Sequence, residues 1–245
     1  MWPRLVASKI LKKRLGNNNF VADFPNEANL LELTVPPLNL KSLNNDVKET
    51  PNFKVFVSTW NVGGVTPTED FDMKELLDSG NACDIYVFGF QEVVPLRAAS
   101  VLGTEKSKIS TKWNSLIREA LNKTETNERI KQIKEENNFR CIISKQMVGI
   151  LISVWIRTNL QPFVQNPSVS CVGCGIMGCL GNKGSVSVRF QLQETSFCFV
   201  CSHLASGGKE GDERYRNSNA AEILSRTIFP KGPSNDLPRK ILDHE

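Results

Sequence analysis

Two apolar runs, 53–60 and 84–90, flank a short helical pattern over 70–79, and this strand–helix–strand spacing constrains the fold more than any other feature. Residues 53–60 are rich in Val, Phe, Thr and Trp, side chains that suit a pleated, half-buried surface. Residues 84–90 are almost continuously apolar, the pattern of a strand buried on both faces. Three such elements in close succession predict a βαβ unit, whose two strands run parallel. Asn61 directly follows the first run, and Glu92 follows the second after Gln91. They are therefore expected to leave the sheet together, at the carboxyl edge where open α/β sheets bind ligands.

A second pair of strands is predicted over 184–190 and 197–202. The connection between them, 191–196, is too short for a crossover, so they run antiparallel. The start of the first then lies beside the end of the second. This brings Asn182 and Lys183, which precede the one, next to His203, which follows the other. Ahead of them, residues 173–184 hold five glycines in twelve positions. That density marks a loop that needs unusual backbone angles or a close approach, and it matches neither a Walker loop nor a dinucleotide fingerprint. One carboxylate, one ammonium, one imidazole and two amides at a sheet edge could hold a divalent metal and a phosphate.

The remaining pattern is coarser. A helix is expected over 107–122, with Ile109, Trp113, Leu116, Ile117, Ala120 and Leu121 on one face. Residues 123–138 read as an exposed polar insertion, 139–145 and 147–157 as two strands with a tight connection, and 163–172 as a weaker strand broken by Pro167. A basic helical stretch follows over 212–229, then a loop over 231–239 with Pro233 and Pro238. Residues 1–50, with Asn17-Asn18-Asn19 and Pro36-Pro37, show no sustained period and read as a mostly irregular arm ahead of a body over 51–245.

Charge divides the same way. Arg4, Lys9, Lys12, Lys13 and Arg14 stand in the first fifteen residues with no acid among them, although the whole chain carries only +4. The body is thus close to neutral, which argues against a nucleic-acid-binding surface; the basic start could touch anionic lipid, but its poor helical pattern favours a solvated, partly helical tail. The start lacks the hydrophobic block of a signal peptide, and no apolar run is long enough to span a bilayer. The expectation is an intracellular protein, cytoplasmic or peripheral at membranes. Seven cysteines, an odd number, then read as free thiols. Cys198 and Cys201, three apart in a strand, point to opposite faces and make a poor metal pair.

Four segments carry a family resemblance: Ser58-Thr59-Trp60-Asn61-Val62-Gly63-Gly64, Phe88-Gly89-Phe90-Gln91-Glu92-Val93-Val94-Pro95-Leu96, Gly178-Cys179-Leu180-Gly181-Asn182-Lys183-Gly184 and Ser202-His203-Leu204-Ala205-Ser206-Gly207. In this order they resemble the inositol polyphosphate 5-phosphatases, in particular the plant type I branch. The resemblance implies a DNase I-like four-layer α/β sandwich. It also implies Mg²⁺-dependent removal of the 5-phosphate from inositol polyphosphates or phosphoinositide headgroups. By position, Glu92 resembles the metal carboxylate and Asn61 its neighbour on the metal and nucleophile side. Asn182 and Lys183 resemble phosphate or substrate contacts, and His203 the imidazole that meets the scissile phosphate. A DNase I-like nuclease, or a non-catalytic product that binds lipid or a partner, are the alternatives.

Three later motifs of that family are not found in these 245 residues: Gly-Asp-Leu-Asn-Tyr-Arg, Trp-Cys-Asp-Arg and a late Ser-Asp-His. Asp243-His244 lacks the preceding Ser and does not stand in for the last of these. The sandwich is therefore expected to be incomplete on its C-terminal side and to expose apolar sheet surface. The 245 residues by themselves are expected to have weak or no phosphatase activity and limited solubility.

Overall fold

A computed structural model describes residues 19–23, 52–68, 71–77, 83–95, 106–122, 138–175, 181–232 and 237–244. The first sheet contains β1 (Val55–Asn61), β2 (Ile85–Gln91), β3 (Phe139–Met147) and β4 (Ile150–Arg157), in the order β1-β2-β4-β3. The second contains β5 (Val164–Gly173), β6 (Gly184–Leu192) and β7 (Thr195–His203), in that order and antiparallel throughout. Helix α1 (Lys106–Asn122) packs outside the first sheet, and α2 (Asp212–Arg226) packs over the second. Helix, sheet, sheet, helix is the expected four-layer order.

Strand β2 shows why the layers form. All of it is buried, and its side chains alternate between two cores. Tyr86, Phe88 and Phe90 face α1, where Trp113 stacks on Phe90 at 4.5 Å and Leu116 and Ile117 complete the layer. Ile85 and Val87 face the second sheet and pack with Val186, Val188 and Phe190 of β6. A buried polar network fixes α1 on its sheet: Asn114 donates to Ser144 (2.8 Å) and accepts from Ser153 (3.0 Å), which in turn accepts from the Trp155 indole.

The parallel pairing of β1 and β2 is as expected, in register from Val55↔Ile85 to Asn61↔Gln91. The helix expected over 70–79 is not. Its described part forms only a 3₁₀ turn, Met73–Leu76. An isolated short helix is marginal, and tertiary packing governs this segment instead: Met73 is buried, and Phe71 stacks on Trp60 and meets Trp113 edge-on. Strand β5 is also longer and more regular than the sequence suggests. Pro167 falls at a bulge between Gln165 and Ser168, with Asn166 at φ +52°, and a bulge is where a sheet tolerates a residue without an N–H. Helix α2 ends at Arg226 rather than near 229, because β-branched Thr227 and Ile228 lead into Pro230, which favours extended backbone before it.

Of the predicted irregular arm, residues 19–23 are described. Val21 bridges antiparallel to Ser144 on the β3 edge, and the Asp23 carboxylate accepts from the Cys141 amide (2.9 Å) and pairs with Arg118 of α1. The basic start and all of the predicted insertion except Asn138 lie outside the described residues. At the opposite edge, Val55 and Val57 of β1 are 36% and 61% exposed. They alternate with Phe56, which packs on the α1 side, so they belong to the face turned toward the second sheet. No described strand covers them there.

Gly184 opens β6 at φ +133°, where an added Cβ would sit 1.9 Å from the Val172 carbonyl oxygen of β5. Gly184→Ala is expected to destabilise the chain by about 2–3 kcal/mol or more, read as a lower urea midpoint. An unchanged midpoint would show that the β5–β6 pairing can yield.

Candidate active site

The carboxyl ends of β1 and β2 are tied together by their own backbone. Val62 N–H donates to the Gln91 carbonyl (2.9 Å), Gly64 N–H to the Glu92 carbonyl (2.7 Å), and Val93 N–H to Gly149 in the β3–β4 turn (3.0 Å). These bonds hold Glu92 at φ +56°, a backbone region that non-glycine residues seldom occupy and that is often held at functional sites. Gly63 and Gly64, also at positive φ, let the β1 loop fold back toward Pro95. Its tip is fixed by an Asn61 Oδ1 bond from the Gly63 amide (3.0 Å).

The amino end of β6 and the carboxyl end of β7 meet as the sequence predicts, with Gly184 paired to His203. The base of the glycine-rich loop is closed by a Cys174 N–H bond to the Lys183 carbonyl (2.8 Å), and Arg226 of α2 donates to the Gly173 carbonyl (3.0 Å). Gly181 lies against the β3–β4 turn, where a Cβ would come within 2.9 Å of Met147. Residues 176–180 lie outside the description. Beyond His203, the Ala205 amide bonds to Asn219 of α2 (2.9 Å), so that helix fixes the exit of the strand.

Sheet packing then joins the two ends. Asn61 Nδ2 donates to Glu92 Oε1 (3.2 Å), the same Oε1 lies 3.5 Å from His203 Nε2, and Lys183 Nζ lies 2.7 Å from that nitrogen. Four of the five predicted side chains thus form one chain of contacts across two sheets. The fifth, Asn182, is next to Lys183, and its Oδ1 is buried without a partner.

An ammonium has only protons to offer, so a charged Lys183 meets His203 Nε2 as an acceptor on a neutral ring. The electrostatics agree. Burial pushes the His203 imidazole below its ordinary value, the charge of Lys183 pushes it further down, and Glu92 and a backbone contact from Asn182 oppose both. Burial also lowers the Lys183 ammonium, against the pull of Glu92. In this arrangement the Glu92–His203 approach is therefore a carboxylate beside a neutral ring, not an ion pair.

The described cysteines are dispersed and form no disulfide. Cys201 lies in the core between the sheets and Cys198 on the other face beside Arg189, as their spacing predicts. No cluster of three or more His, Cys, Asp or Glu occurs among the described residues. Burial pushes Cys171, Cys174, Cys198 and Cys201 up to about 11, so they remain thiols.

Sequence reasoning missed the layer beneath the site. Gln91, almost fully buried, donates from Nε2 to Thr59 Oγ1 of β1 (3.1 Å) and to Cys201 Sγ of β7 (3.4 Å). A polar residue at an inward position of a strand otherwise buried along its length was the available signal.

A carboxylate on a residue at positive φ, an amide, an imidazole and an ammonium thus stand together at the joined edge of two packed sheets. The chain belongs to the Endonuclease/Exonuclease/phosphatase family 2, whose model matches residues 58–245. It is 62% identical to the type IV inositol polyphosphate 5-phosphatase 9 of Arabidopsis thaliana, over all of this chain and 62% of that protein. It is 41% identical to the type I inositol polyphosphate 5-phosphatase 8 of the same plant, over all of this chain and 60% of that protein. The resemblance read from the four motifs is therefore borne out, with relatives of both type names. The chain spans about three-fifths of the length of these curated relatives. Among solved structures, it matches the inositol polyphosphate 5-phosphatase domain of SpSynaptojanin, in complex with inositol (1,4)-bisphosphate and calcium ion. The TM-score is 0.61 at 23% identity, over all of this chain and 56% of that one, and this likeness establishes the shared fold.

Both histidines, His203 and His244, are depressed, chiefly by burial. A group whose folded value lies below its unfolded one contributes stability that is fully present above the unfolded value and is lost as pH falls through the folded one. Unfolding free energy is thus expected to fall as pH drops below an imidazole's ordinary value of about 6.5. Urea unfolding between pH 7.5 and 5.5 checks this. Replacing both histidines by Gln should flatten that slope, and an unchanged slope would contradict the assignment.

Proposed function

We propose that the chain carries the first half of a metal-dependent phosphatase site that removes the 5-phosphate from inositol polyphosphates or phosphoinositide headgroups. The observation that carries this reading is the convergence of Asn61, Glu92, Lys183 and His203 across the two sheets. The relatives' names and the shared fold give it the substrate class.

The donor set fits Mg²⁺. This cation takes hard oxygen ligands, one or two of them carboxylates, and keeps several waters. Glu92 supplies the carboxylate, held in place by Asn61. Asn182, the neighbour of Lys183, has an Oδ1 that is buried without a partner and would be a second oxygen donor if it turned toward the ion. When bound, the ion would neutralise phosphate charge and lower the pKa of a bound water.

The chain's own residues would do the rest. Lys183, now turned to His203 Nε2, is placed to transfer a hydrogen bond to an arriving phosphate oxygen. The anion would oppose the two effects that depress His203 and favour the imidazolium, a second donor toward charge that develops in the transition state. Peripheral contact of the basic start with anionic lipid would bring the site to membrane-borne substrate.

The three later motifs implied by the resemblance are not in these 245 residues. By themselves they should therefore turn over slowly, since loss of even one charge-stabilising donor costs about 10²–10³-fold. The test is phosphate release from a soluble inositol polyphosphate with Mg²⁺, alongside calorimetric Mg²⁺ titration. The expected result is slow release, abolished by Glu92→Gln together with at least about tenfold weaker Mg²⁺ binding. Release and binding that survive Glu92→Gln would contradict the site. Brisk turnover by the 245 residues would contradict the need for later motifs.

A further inference from the structure

The Glu92 carboxylate and the His203 imidazole belong to different sheets, yet they stand 3.5 Å apart. Stacked sheets ordinarily lie about 10 Å apart, so a contact this close requires a fixed spacing at this end of the sandwich. The inward side chains show how it is made. Along β2 they run Ile85, Val87, Gly89, Gln91, and along β7 they run Phe197, Phe199, Cys201, His203. Just before the site the facing pair is small, Gly89 against Cys201.

Gly89 and Cys201 meet directly. A Cβ on Gly89 would lie 3.0 Å from Cys201 Sγ and 3.4 Å from its Cβ. The thiol seated in this gap is held from both sides. Sγ donates to the Phe90 carbonyl (3.7 Å) and accepts from Gln91 Nε2 (3.4 Å). Because burial pushes Cys201 up to about 11, the thiol keeps the proton that the Phe90 carbonyl receives. Gln91 in turn is anchored on Thr59 of β1, so one small contact registers β1, β2 and β7. Glu92 is the next residue after Gln91, and His203 is two residues along from Cys201.

We propose that Gln91 and Cys201 are positioning residues, whose contact over Gly89 sets the distance between the Glu92 carboxylate and the His203 imidazole. The sulfur acts here as a spacer with two weak hydrogen bonds, not as a nucleophile, redox group or ligand. Cys198, on the opposite face of the same strand beside Arg189, has no such role and serves as the control.

The chain has two histidines, and the second, His244, lies at the far end of β7 beside Ser196. The ring-proton resonance of His203 therefore reads the spacing, with His244 as an internal reference. Cys201→Ala and Gln91→Met, each confirmed folded by near-UV circular dichroism, should shift the His203 resonance and leave that of His244 in place. Cys201→Ser, which keeps both hydrogen bonds, should restore most of the wild-type position, and Cys198→Ala should move neither signal. On the phosphatase reading, the same two variants should lower kcat about tenfold or more, with KM within about twofold, since misplacement of a reacting group by about 1 Å can cost 10²-fold. A His203 resonance unmoved in folded Cys201→Ala or Gln91→Met, or both histidines shifting alike, would overturn the proposal. If Cys201→Ala does not fold, Gln91→Met decides it. If the chain hydrolyses no inositol phosphate, the phosphatase reading fails, and the resonance still decides the positioning role.

Discussion

The structure depends on the packing of β2 against β6 and β7. This apolar interface of Ile85, Val87, Val186, Val188, Phe190 and Cys201 brings two separately built strand ends to one place. The first end is local in origin: backbone bonds from Val62 and Gly64 tie the β1 and β2 loops and hold Glu92 in a left-handed conformation. The second is also local, because the β6–β7 hairpin juxtaposes Gly184 and His203 by its register. Neither end holds both a carboxylate and an imidazole. The pairing exists only because hydrophobic burial, the dominant favourable term in folding, presses one sheet on the other.

This division explains what was legible in the sequence. The parallel β1–β2 pair followed from the spacing of two apolar runs, and the meeting of Lys183 with His203 followed from a connection too short for anything but antiparallel strands. The facing of the two sheets did not follow from either pattern, since alternation gives each strand two faces and does not name the partner of each. Gln91 and Gly89 were visible as letters in a motif, but their partner Cys201 is 110 residues from Gln91 in sequence. The 3₁₀ turn at Met73–Leu76 and the bulge at Pro167 were missed because tertiary packing overrode local propensity in the first case, and a one-residue adjustment absorbed the proline in the second.

The outer face of the second sheet has its own organisation. Arg189 is buried and pairs with no acidic side chain among the described residues. It donates to the Pro238 (2.8 Å) and Pro230 (3.3 Å) carbonyls and lies over the Phe229 ring. Burying a charge is costly unless hydrogen bonds compensate, so these carbonyls hold the segment after α2 against β6. Arg239 completes the clasp through the Phe229 carbonyl and amide. The clasp lies behind the sheet that carries Lys183 and His203, and with the α2 contacts to Gly173 and Ala205 it backs that half of the site. By contrast, the inward face of β1 leaves Val55 and Val57 exposed. Among the described residues, the fold is thus covered behind the candidate site, while no strand covers the inward face of the β1 edge.

The proposed function requires Glu92 and His203 to flank one ion-binding site built across two sheets. Paramagnetic broadening by Mn²⁺, a manganese stand-in for the proposed magnesium, tests it most directly. His244 contacts Ser196, which lies about 24 Å from His203 along β7 at an extended strand's rise per residue. Sub-stoichiometric Mn²⁺ is predicted to broaden the His203 ring resonance strongly and to spare that of His244, with Mg²⁺ reversing the effect. Bound Mn²⁺ that leaves His203 sharp, or broadens both histidines alike, would contradict the account.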